Sequence, residues 1–415
     1  MPPMPATTLS FAERDRRWNA LRDFMAARAL DCVVIFAGSG PLQCDNYYSN
    51  DQPGTVIFPR RGEPLWLVWT THVITSHLEQ RERGEQPWIS QALLAGGGSR
   101  GIIEALRELG CERGSIGVVG TGGMPSLTPE GWVPFLTWQR ITAALPDATF
   151  EEVGADLLRI QLVKSDEELA LVRRAAEIGE AACQVMIDVT RPGVTEADIY
   201  GAVMGEVYRQ GARGIEGLPL FIHSGRQSIG WGLPAWMTRG TPPRTIQDGD
   251  LVMSEHFPTF GGMQAQEQQC IAVGAVDPLN ERLAEVARSS YEEGVKAAVP
   301  GARWTEVMEA MARPVREAGA WSLTPLAHNL NPLCATSRHS EGIEQQIPEI
   351  AAYHNVRGRG TDSNPDLVLE PGMTVELEPN ASMGRSRVNL GGTVVVRAGG
   401  PAEELNNLPT RMRRV

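Results

Sequence analysis

Acidic side chains recur on the predicted strands of this 415-residue chain, where carboxyl groups could act as general acids and bases. The run Val-Glu-Leu-Glu-Pro separates Glu376 and Glu378 by two residues, so a regular strand turns both toward one face. Two buried carboxyls on one face are costly unless they do chemistry or meet cations. Glu255 and His256 are adjacent, so only one of them faces a pocket unless a bulge intervenes. We therefore expect Glu378 and one member of this pair in an active site.

Other residues could complete a pocket for a small molecule. Trp231 and Trp236 lie close together in the chain, and two indoles suit an aromatic or otherwise flat ligand, although packing explains such tryptophans as well. Arg338 could hold a substrate carboxylate through two parallel hydrogen bonds, with a surface ion pair as the ordinary alternative. Glu267 follows Gln266, and a one-residue change of register would exchange these two at the inward position.

The elements that must position these residues fall into two domains, because 415 residues exceed what one hydrophobic core usually organises. Alternating helix and strand patterns predict a small α/β domain over about the first 150 residues. Ser165 and Glu168 form a capping-box pair that opens a long amphipathic helix. Strand patterns then dominate residues 218–273 and 373–396, with helices between them. We place the domains at residues 1–156 and 157–415.

The composition disfavours several classes of partner and location. A net charge of -12 and a pI near 5.2 repel phosphate backbones and anionic lipids, so we expect no nucleic acid or membrane partner. The start of the chain does not read as a signal peptide, and no apolar run is long enough to span a membrane, so we expect a cytoplasmic protein. The six cysteines are scattered without zinc spacing and are interpreted as free thiols.

Four motifs follow one another in the second predicted domain, at residues 158–168, 191–196, 246–252 and 369–379. In this order they resemble the superfamily of creatinase, prolidase, aminopeptidase P and methionine aminopeptidase, and the resemblance covers almost the whole chain. It implies the fold class α/β, with an α+β pita-bread catalytic domain of two pseudo-symmetric halves. A smaller ribonuclease-H-like α/β domain would precede it. The active site would lie on the curved sheet of the catalytic domain.

The resemblance also implies a set of metal ligands that this chain only partly retains. Metal-dependent members hold a dinuclear centre with two Asp, one His and two Glu, and this centre generates hydroxide. The corresponding positions here are Glu255, Gln266, His328, Glu378 and Gly391. Two carboxylates cannot balance two divalent ions, so we expect no metal cofactor. A single ion on Glu255, His328 and Glu378 is the alternative.

Creatinase offers a metal-free precedent within the superfamily. It hydrolyses a carbon–nitrogen bond by proton transfer from a histidine, and it carries an active-site glutamate near the position of Glu267. Its catalytic histidine falls near Trp236 here, so its chemistry does not transfer directly. The resemblance implies that His328 is a general acid/base oriented by Glu378, with Glu255 or Glu267 positioning water.

The predicted function is metal-independent cleavage of a carbon–nitrogen bond in a small, non-peptide molecule. The catalytic candidates are His328, Glu378, Glu255, His256 and Glu267. The substrate-binding candidates are Trp236, Trp231, His223, Gln266 and Arg338. A lyase that breaks a C–C or C–O bond in an aromatic molecule is the first alternative, and a non-catalytic pita-bread binding module is the second. Relatives of this kind lead us to expect a homodimer.

Overall fold

A computed structural model of the chain describes residues 8–38, 44–95, 98–122, 130–214, 220–323, 325–337, 342–353 and 364–415. The chain divides into two compact units, Met1–Leu162 and Val163–Val415. The boundary predicted at 156/157 falls inside a helix, Gly154–Gln161, so the division lies after that helix. Among the described residues, no helix combines the length and the apolar character that crossing a bilayer requires.

The first unit is a six-stranded sheet with helices. Its helices are α1 (Phe11–Ala27), α2 (Cys44–Ser49), α3 (Thr71–Glu82), α4 (Ser99–Glu108), α5 (Phe135–Ala144) and α6 (Gly154–Gln161). Its strands are β1 (Cys32–Ile35), β2 (Thr55–Pro59), β3 (Leu65–Val68), β4 (Gln91–Leu94), β5 (Ser115–Val119) and β6 (Thr149–Glu152). The strand order is β4-β3-β2-β1-β5-β6, with β1–β2 and β2–β3 antiparallel and the other pairs parallel. This mixed sheet confirms the predicted α/β class.

The second unit is built around a larger sheet. Its helices are α7 (Asp166–Val189), α8 (Glu196–Arg209), α9 (Ala235–Arg239), α10 (Pro278–Ala297), α11 (Trp304–Glu317) and α12 (Ile343–Gln346), followed by a 3₁₀ helix, Pro348–Ala352. Its first strands are β7 (Leu220–Gly225), β8 (Leu251–His256), β9 (Thr259–Phe260), β10 (Met263–Gln264), β11 (Glu267–Ala272) and β12 (Ala327–Leu330). Its last strands are β13 (Thr374–Leu377), β14 (Asn380–Met383), β15 (Ser386–Asn389), β16 (Gly391–Val395), β17 (Glu403–Glu404) and β18 (Arg413–Arg414).

The main sheet runs β12-β13-β16-β11-β8-β7, with β17 added beside β16 and β18 beside β11. Strands β14 and β15 form a separate antiparallel pair, as do β9 and β10. Helices α7 and α8 pack on one face of β8 and β11, where Val252 and Ile271 join their apolar core. Leu251, Met253 and Cys270, which point the other way along these strands, pack with residues of α10. Neighbouring residues of β8 and β11 therefore enter different environments.

Capping explains where the two long helices against the sheet begin. Ser165 accepts from the backbone N–H of Glu168, and the Glu168 side chain accepts from the Ser165 backbone, as the sequence predicts for α7. Thr195 and Asp198 form the same reciprocal pair at α8. The capped ends fix where α7 starts, and so fix which of its residues face the strands that carry the candidate site.

Candidate active site

A buried cluster of four polar side chains lies at β8 and at the ends of β11 and β13. This acid cluster consists of Glu255, Gln266, Gln268 and Glu378, and Glu255 and Gln268 are direct cross-strand partners. The amide Nε2 of Gln266 donates to Glu255 Oε1 at 2.5 Å and to Glu378 Oε2 at 3.1 Å. Gln268 Nε2 also donates to Glu378 Oε2. Glu255 Oε2 and Glu378 Oε1 have no hydrogen-bond partner among the described residues.

The two carboxyls of the acid cluster differ in proton affinity. Burial raises the pKa of Glu255 to about 7, opposed by interactions with the side chains of Trp231, Glu378 and Gln268. Burial and the adjacent Glu255 raise the pKa of Glu378 well above its usual range. Because the two groups compete for protons, Glu378 retains one while Glu255 ionises near neutral pH.

His328 on β12 lies beside Glu378, with its Nε2 3.4 Å from Glu378 Oε1. Its Nδ1 lies 2.9 Å from the carbonyl oxygen of Asn329 and donates to it, which leaves Nε2 as an acceptor in the neutral ring. Burial lowers the pKa of His328 to about 4, although the Asn329 carbonyl opposes this effect. The ring is therefore neutral at pH 7. Glu255, and not His328, is the group of this site that titrates near neutrality.

Trp231 lies next to the acid cluster, and its ring contacts Arg387 and His223. The sequence did not predict that these three residues meet. The Trp231 indole lowers the pKa of the Glu255 carboxyl. The guanidinium carbon of Arg387, on β15, lies 4.4 Å from the centre of the Trp231 ring. His223 stacks on Trp231 with centroids 6.0 Å apart and planes 27° apart. Arg387 is a buried cation in an otherwise ordinary strand sequence, and no motif marks it.

His256 and Glu267 do not belong to the acid cluster, which corrects their prediction as catalytic residues. They are cross-strand partners on the side of β8 and β11 that faces α7. His256 Nε2 lies 2.7 Å from Ser254 Oγ, and the Ser254 hydroxyl donates to Met186 Sδ on α7 at 3.0 Å. We call Ser254, His256, Glu267 and Gln269 the helix-side row. Strand alternation places the whole row opposite Glu255 and Gln268.

Glu267 is sealed under α7. It is 0% exposed, and a Cβ added at Gly179 would lie 2.1 Å from its Oε1. Neither Glu267 oxygen has a hydrogen-bond partner among the described residues. Burial, and then the nearby charge of Glu180, raise the pKa of Glu267 well above its usual range. Glu267 is therefore a neutral, buried acid, and its predicted role in positioning water does not fit this placement.

Of the other predicted substrate contacts, Trp236 lies away from the acid cluster. Trp236, on α9, packs edge-to-face on Tyr200 of α8, with centroids 5.7 Å apart. It does not pair with Trp231, so the predicted double-indole pocket is not formed by ring contact. Arg338 lies outside the described residues. Of the predicted substrate contacts within the described residues, only Gln266 bonds directly to both carboxyls of the acid cluster.

Glu376 is a buried acid beside the acid cluster, on the strand β13 that leads to Glu378. Thr393 Oγ1 donates to Glu376 Oε2 at 3.1 Å, and the same hydroxyl oxygen accepts from the backbone N–H of Gln266 at 2.8 Å. Alternation on Val-Glu-Leu-Glu-Pro predicts the shared face of Glu376 and Glu378. The contact through Thr393 was not predictable, because it depends on how β16 pairs with β13.

Gly391 occupies the position at which the resemblance predicts a fifth metal ligand, and the surrounding backbone is closed around it. An added Cβ would lie 2.5 Å from the carbonyl oxygen of Leu377 and 2.8 Å from Glu378 Cα. It would also lie 3.2 Å from Glu376 Oε1. The strand pairing thus leaves no room for any side chain at this position.

The donor set of the acid cluster does not fit a dinuclear metal centre. Among the described residues, no three His, Cys, Asp or Glu side chains are grouped to hold an ion. Gln266 and Gln268 direct amide N–H groups at the carboxyl oxygens of Glu255 and Glu378, where cations would otherwise bind. An amide NH₂ donates hydrogen bonds and cannot ligate a cation. The two amides therefore satisfy Glu255 Oε1 and Glu378 Oε2 by hydrogen bonding but supply no charge.

Similarity to known proteins agrees with this fold. A creatinase from a Bacillus species is 23% identical over 400 residues, covering 93% of this chain and 87% of the relative. An Xaa-Pro dipeptidase from Lactobacillus delbrueckii is 24% identical, covering 58% of this chain and 59% of the relative. The X-Pro aminopeptidase structure from Thermotoga maritima matches with a TM-score of 0.73 at 15% identity, covering 96% and 99% of the two chains. An Xaa-Pro dipeptidase structure from Bacillus anthracis matches with a TM-score of 0.70 at 18% identity, covering 97% and 100%.

The structural matches have low identity and so establish the fold, which is the predicted pita-bread fold. The family model for metallopeptidase family M24 matches residues 170–398, more than half of the chain. That segment contains every residue of the acid cluster, together with His328 and Gly391. The chain therefore belongs to metallopeptidase family M24, a family of hydrolases.

Proposed function

We propose that this protein hydrolyses a carbon–nitrogen bond in a small molecule without a metal ion. One observation carries the proposal: the Gln266 amide bridges Glu255 and Glu378 and leaves one oxygen of each carboxyl without a partner among the described residues. The two oxygens that remain can serve one reaction as base and acid. The bridging amide takes the place that a cation has between carboxylates in a metal site.

Glu255 is the general base in this proposal. Its pKa of about 7 leaves a substantial ionised fraction at neutral pH, and its Oε2 is the oxygen available to accept a proton from water. A carboxylate with an ordinary pKa would be ionised but a much weaker base. Burial therefore gives Glu255 the basicity to take a proton from water, whereas a bound metal ion activates water by lowering the pKa of the water itself.

Glu378 and His328 hold the proton for the leaving group. Glu378 Oε1 and His328 Nε2 lie 3.4 Å apart, and the raised pKa of Glu378 keeps a proton on this pair at neutral pH. His328 accepts through Nε2 because its Nδ1–H is used by the Asn329 carbonyl. The predicted role of His328 as the general acid/base is therefore shared in this proposal, with Glu378 as the residue that carries the proton.

The step balances with water as the only co-reactant. Glu255 removes a proton from water while the water oxygen bonds to the electrophilic carbon of the substrate. The carbon–nitrogen bond then breaks, and the leaving nitrogen takes the proton that Glu378 holds. The proton on Glu255 then passes to Glu378, directly or by exchange with solvent that reprotonates Glu378, which restores the starting state.

The relatives support two classes of substrate. A small non-peptide substrate is favoured by the creatinase relative, whose alignment extends over 93% of this chain. Hydrolysis of Xaa-Pro peptides is the second candidate, favoured by the dipeptidase and aminopeptidase names among the relatives and solved structures. We rank the non-peptide substrate first because the peptidases of this superfamily are expected to need the ligand carboxylates that Gln266 and Gly391 replace.

The test combines metal removal with a defined substrate panel. Protein dialysed against EDTA and checked by elemental analysis is assayed with creatine, other small amides and ureides, and Xaa-Pro dipeptides, in water enriched with ¹⁸O. Turnover of a non-peptide substrate with ¹⁸O in the product that carries the attacked carbon supports the proposal. Turnover that vanishes with chelator and returns with zinc, manganese or iron contradicts it.

The same panel separates the remaining alternatives. A product that forms without ¹⁸O and contains a new double bond or carbonyl group identifies a lyase. Absence of turnover on the whole panel, with only protein partners recovered, supports a binding module. Glu255→Gln serves as the matched inactive control in every arm, because glutamine preserves the volume of the side chain.

A further inference from the structure

The segment 230–232 is held at two backbone carbonyl groups by side chains from different strands. Arg387 Nη2, from β15, donates to the carbonyl oxygen of Gly230 at 2.7 Å. His223 Nε2, from β7, donates to the carbonyl oxygen of Gly232 at 2.9 Å. Trp231 lies between these two anchored residues. Its backbone is therefore fixed on both sides by a guanidinium and an imidazole.

The same two side chains also hold the Trp231 ring. Arg387 lies over the indole at 4.4 Å, within the distance at which a cation attracts an aromatic face. The His223 ring stacks on the indole with planes 27° apart. Phe221, two residues before His223 on β7, contacts the indole edge-to-face at 6.0 Å. Each anchor thus makes one backbone and one ring contact with the same short segment.

Arg387 is buried at 2% exposure, and burying a guanidinium is costly unless its charge is compensated. No carboxylate forms an ion pair with it among the described residues, and its Nε has no hydrogen-bond partner there. Arg387 donates to the Gly230 carbonyl and lies over the Trp231 ring, and its charge also lowers the pKa of Glu255. Both direct contacts of this buried cation are with the segment 230–232, which indicates that Arg387 holds this segment.

The segment in turn leads to Glu255. Phe221 is the direct cross-strand partner of Glu255, so the ring that packs on Trp231 shares a face with the proposed base. The indole of Trp231 also acts on Glu255, because it lowers the pKa of that carboxyl. We propose that Arg387 and His223 are positioning residues that hold Trp231, so that the Trp231 and Phe221 rings keep Glu255 in one orientation.

The proposal changes the predicted roles of Trp231 and His223 from substrate contacts to supports of Glu255, and it adds Arg387. It rests on the proposed function only where it names Glu255 as the base. The arrangement itself can be tested without any substrate. Positioning matters for the rate, because a displacement of about 1 Å in a reacting group can reduce turnover about a hundredfold.

The first experiment observes the indole directly. Protein labelled with ¹⁵N-tryptophan has ten tryptophans and hence ten indole N–H cross-peaks. Trp231→Phe identifies the Trp231 peak by its loss. We expect Glu255→Gln and Arg387→Met each to move this peak more than any other indole peak, because the first changes the carboxyl beside the indole and the second removes the cation over its ring. A Trp231 peak that is unmoved by Arg387→Met overturns the proposal.

The second experiment uses turnover, if the substrate panel has supplied a substrate. Arg387→Met and His223→Phe should each lower kcat about tenfold to a hundredfold with KM within about twofold. Arg387→Lys should restore part of the rate, since it keeps the charge but loses the planar fork. A rise in KM with kcat unchanged would mean that Arg387 binds substrate, which contradicts the positioning role.

Two safeguards keep the tests decisive. Thermal unfolding identifies a variant that fails to fold, and His223→Phe then tests the same segment from the other strand. Failure of the proposed hydrolysis leaves the indole experiment intact, because that experiment needs no substrate. If Arg387→Met leaves the Trp231 indole peak unmoved while the wild-type protein hydrolyses a substrate, the positioning role is wrong and the proposed hydrolysis stands.

Discussion

The acid cluster and the helix-side row are made of neighbouring residues on the same two strands, yet they differ in what surrounds their carboxyls. Glu255 and Glu267 are both buried acids, and both have raised pKa values because of burial. Amide groups bind Glu255 and leave one oxygen available, whereas Glu267 is closed in by Gly179 of α7. Burial of an acid is therefore no sign of catalysis. The face of the strand, and the groups that share it, decide what the acid can do.

The largest expected effect is on the catalytic side of this comparison. Glu255→Gln should lower turnover about a hundredfold to ten-thousandfold, because it removes the base and leaves the volume unchanged. Steady-state rates at pH 7 measure the loss, and circular dichroism checks the fold. A rate near that of the wild type would show that Glu255 is not the base. Glu267→Gln is the matched control, since it makes the same change on the opposite face.

The next effect is on stability and concerns the helix-side row. Gly179→Ala places a methyl group against the Glu267 carboxyl, and overpacking of this kind destabilises by about 1–3 kcal/mol. Urea unfolding measures the change. Gly201→Ala, on α8, is the control: nothing lies within 4 Å of its added Cβ, so the gain in helix propensity, up to about 1 kcal/mol, should dominate. Equal effects at the two glycines would contradict the close packing of Glu267.

The pH dependence should follow the acid cluster alone. Glu255 acts as a base only when ionised, so kcat/KM should rise roughly tenfold for each pH unit below about 7 and level off above it. Rates from pH 5 to pH 8, with folding verified at each pH, supply the measurement. A profile that is flat across this range would remove Glu255 as the titrating group.

The smallest effect on activity is expected from Glu267→Gln, which should keep the rate within about twofold of the wild type because Glu267 lies outside the acid cluster.

The difference in stability between the Glu267→Gln variant and the wild type should depend on pH. The folded protein retains a proton on Glu267 that the unfolded chain releases above its ordinary pKa of 4.5, so wild-type stability falls as pH rises from there. Glutamine does not titrate, so the variant keeps its stability as the pH rises. Its free energy of unfolding in urea, relative to that of the wild type, should therefore increase from pH 5 to pH 8. A relative free energy that decreases would contradict a neutral Glu267.

Motifs and alternation predicted much of this molecule. The pita-bread fold followed from four ordered motifs, and the capping box at Ser165 followed from residue spacing. Alternation correctly separated Glu255 from His256. Alternation shows that the two side chains point to opposite faces of the strand. It does not show which face carries the acid cluster, so it could not choose between Glu255 and His256. For Glu267 the register left two choices, and the structure selects the side under Gly179.

The rest of the site depends on contacts between residues far apart in the chain. Arg387 and Gln268 lie on strands with no motif, and only the pairing of β11 with β8 and the approach of β15 bring them to Glu255 or Trp231. The neutral state of His328 depends on its burial, which no local pattern reveals. The expected homodimer and cytoplasmic location stay predictions, to be checked by sedimentation and by fractionation.

Gly391 limits what protein engineering could achieve at this site. A glutamate introduced there would meet the Leu377 carbonyl and the Glu378 backbone before it could reach the acid cluster. One substitution therefore cannot add a carboxylate here unless strand β13 moves away, and β13 leads directly to Glu378. A redesign that adds a ligand at this position would first have to rebuild the pairing of β13 with β16.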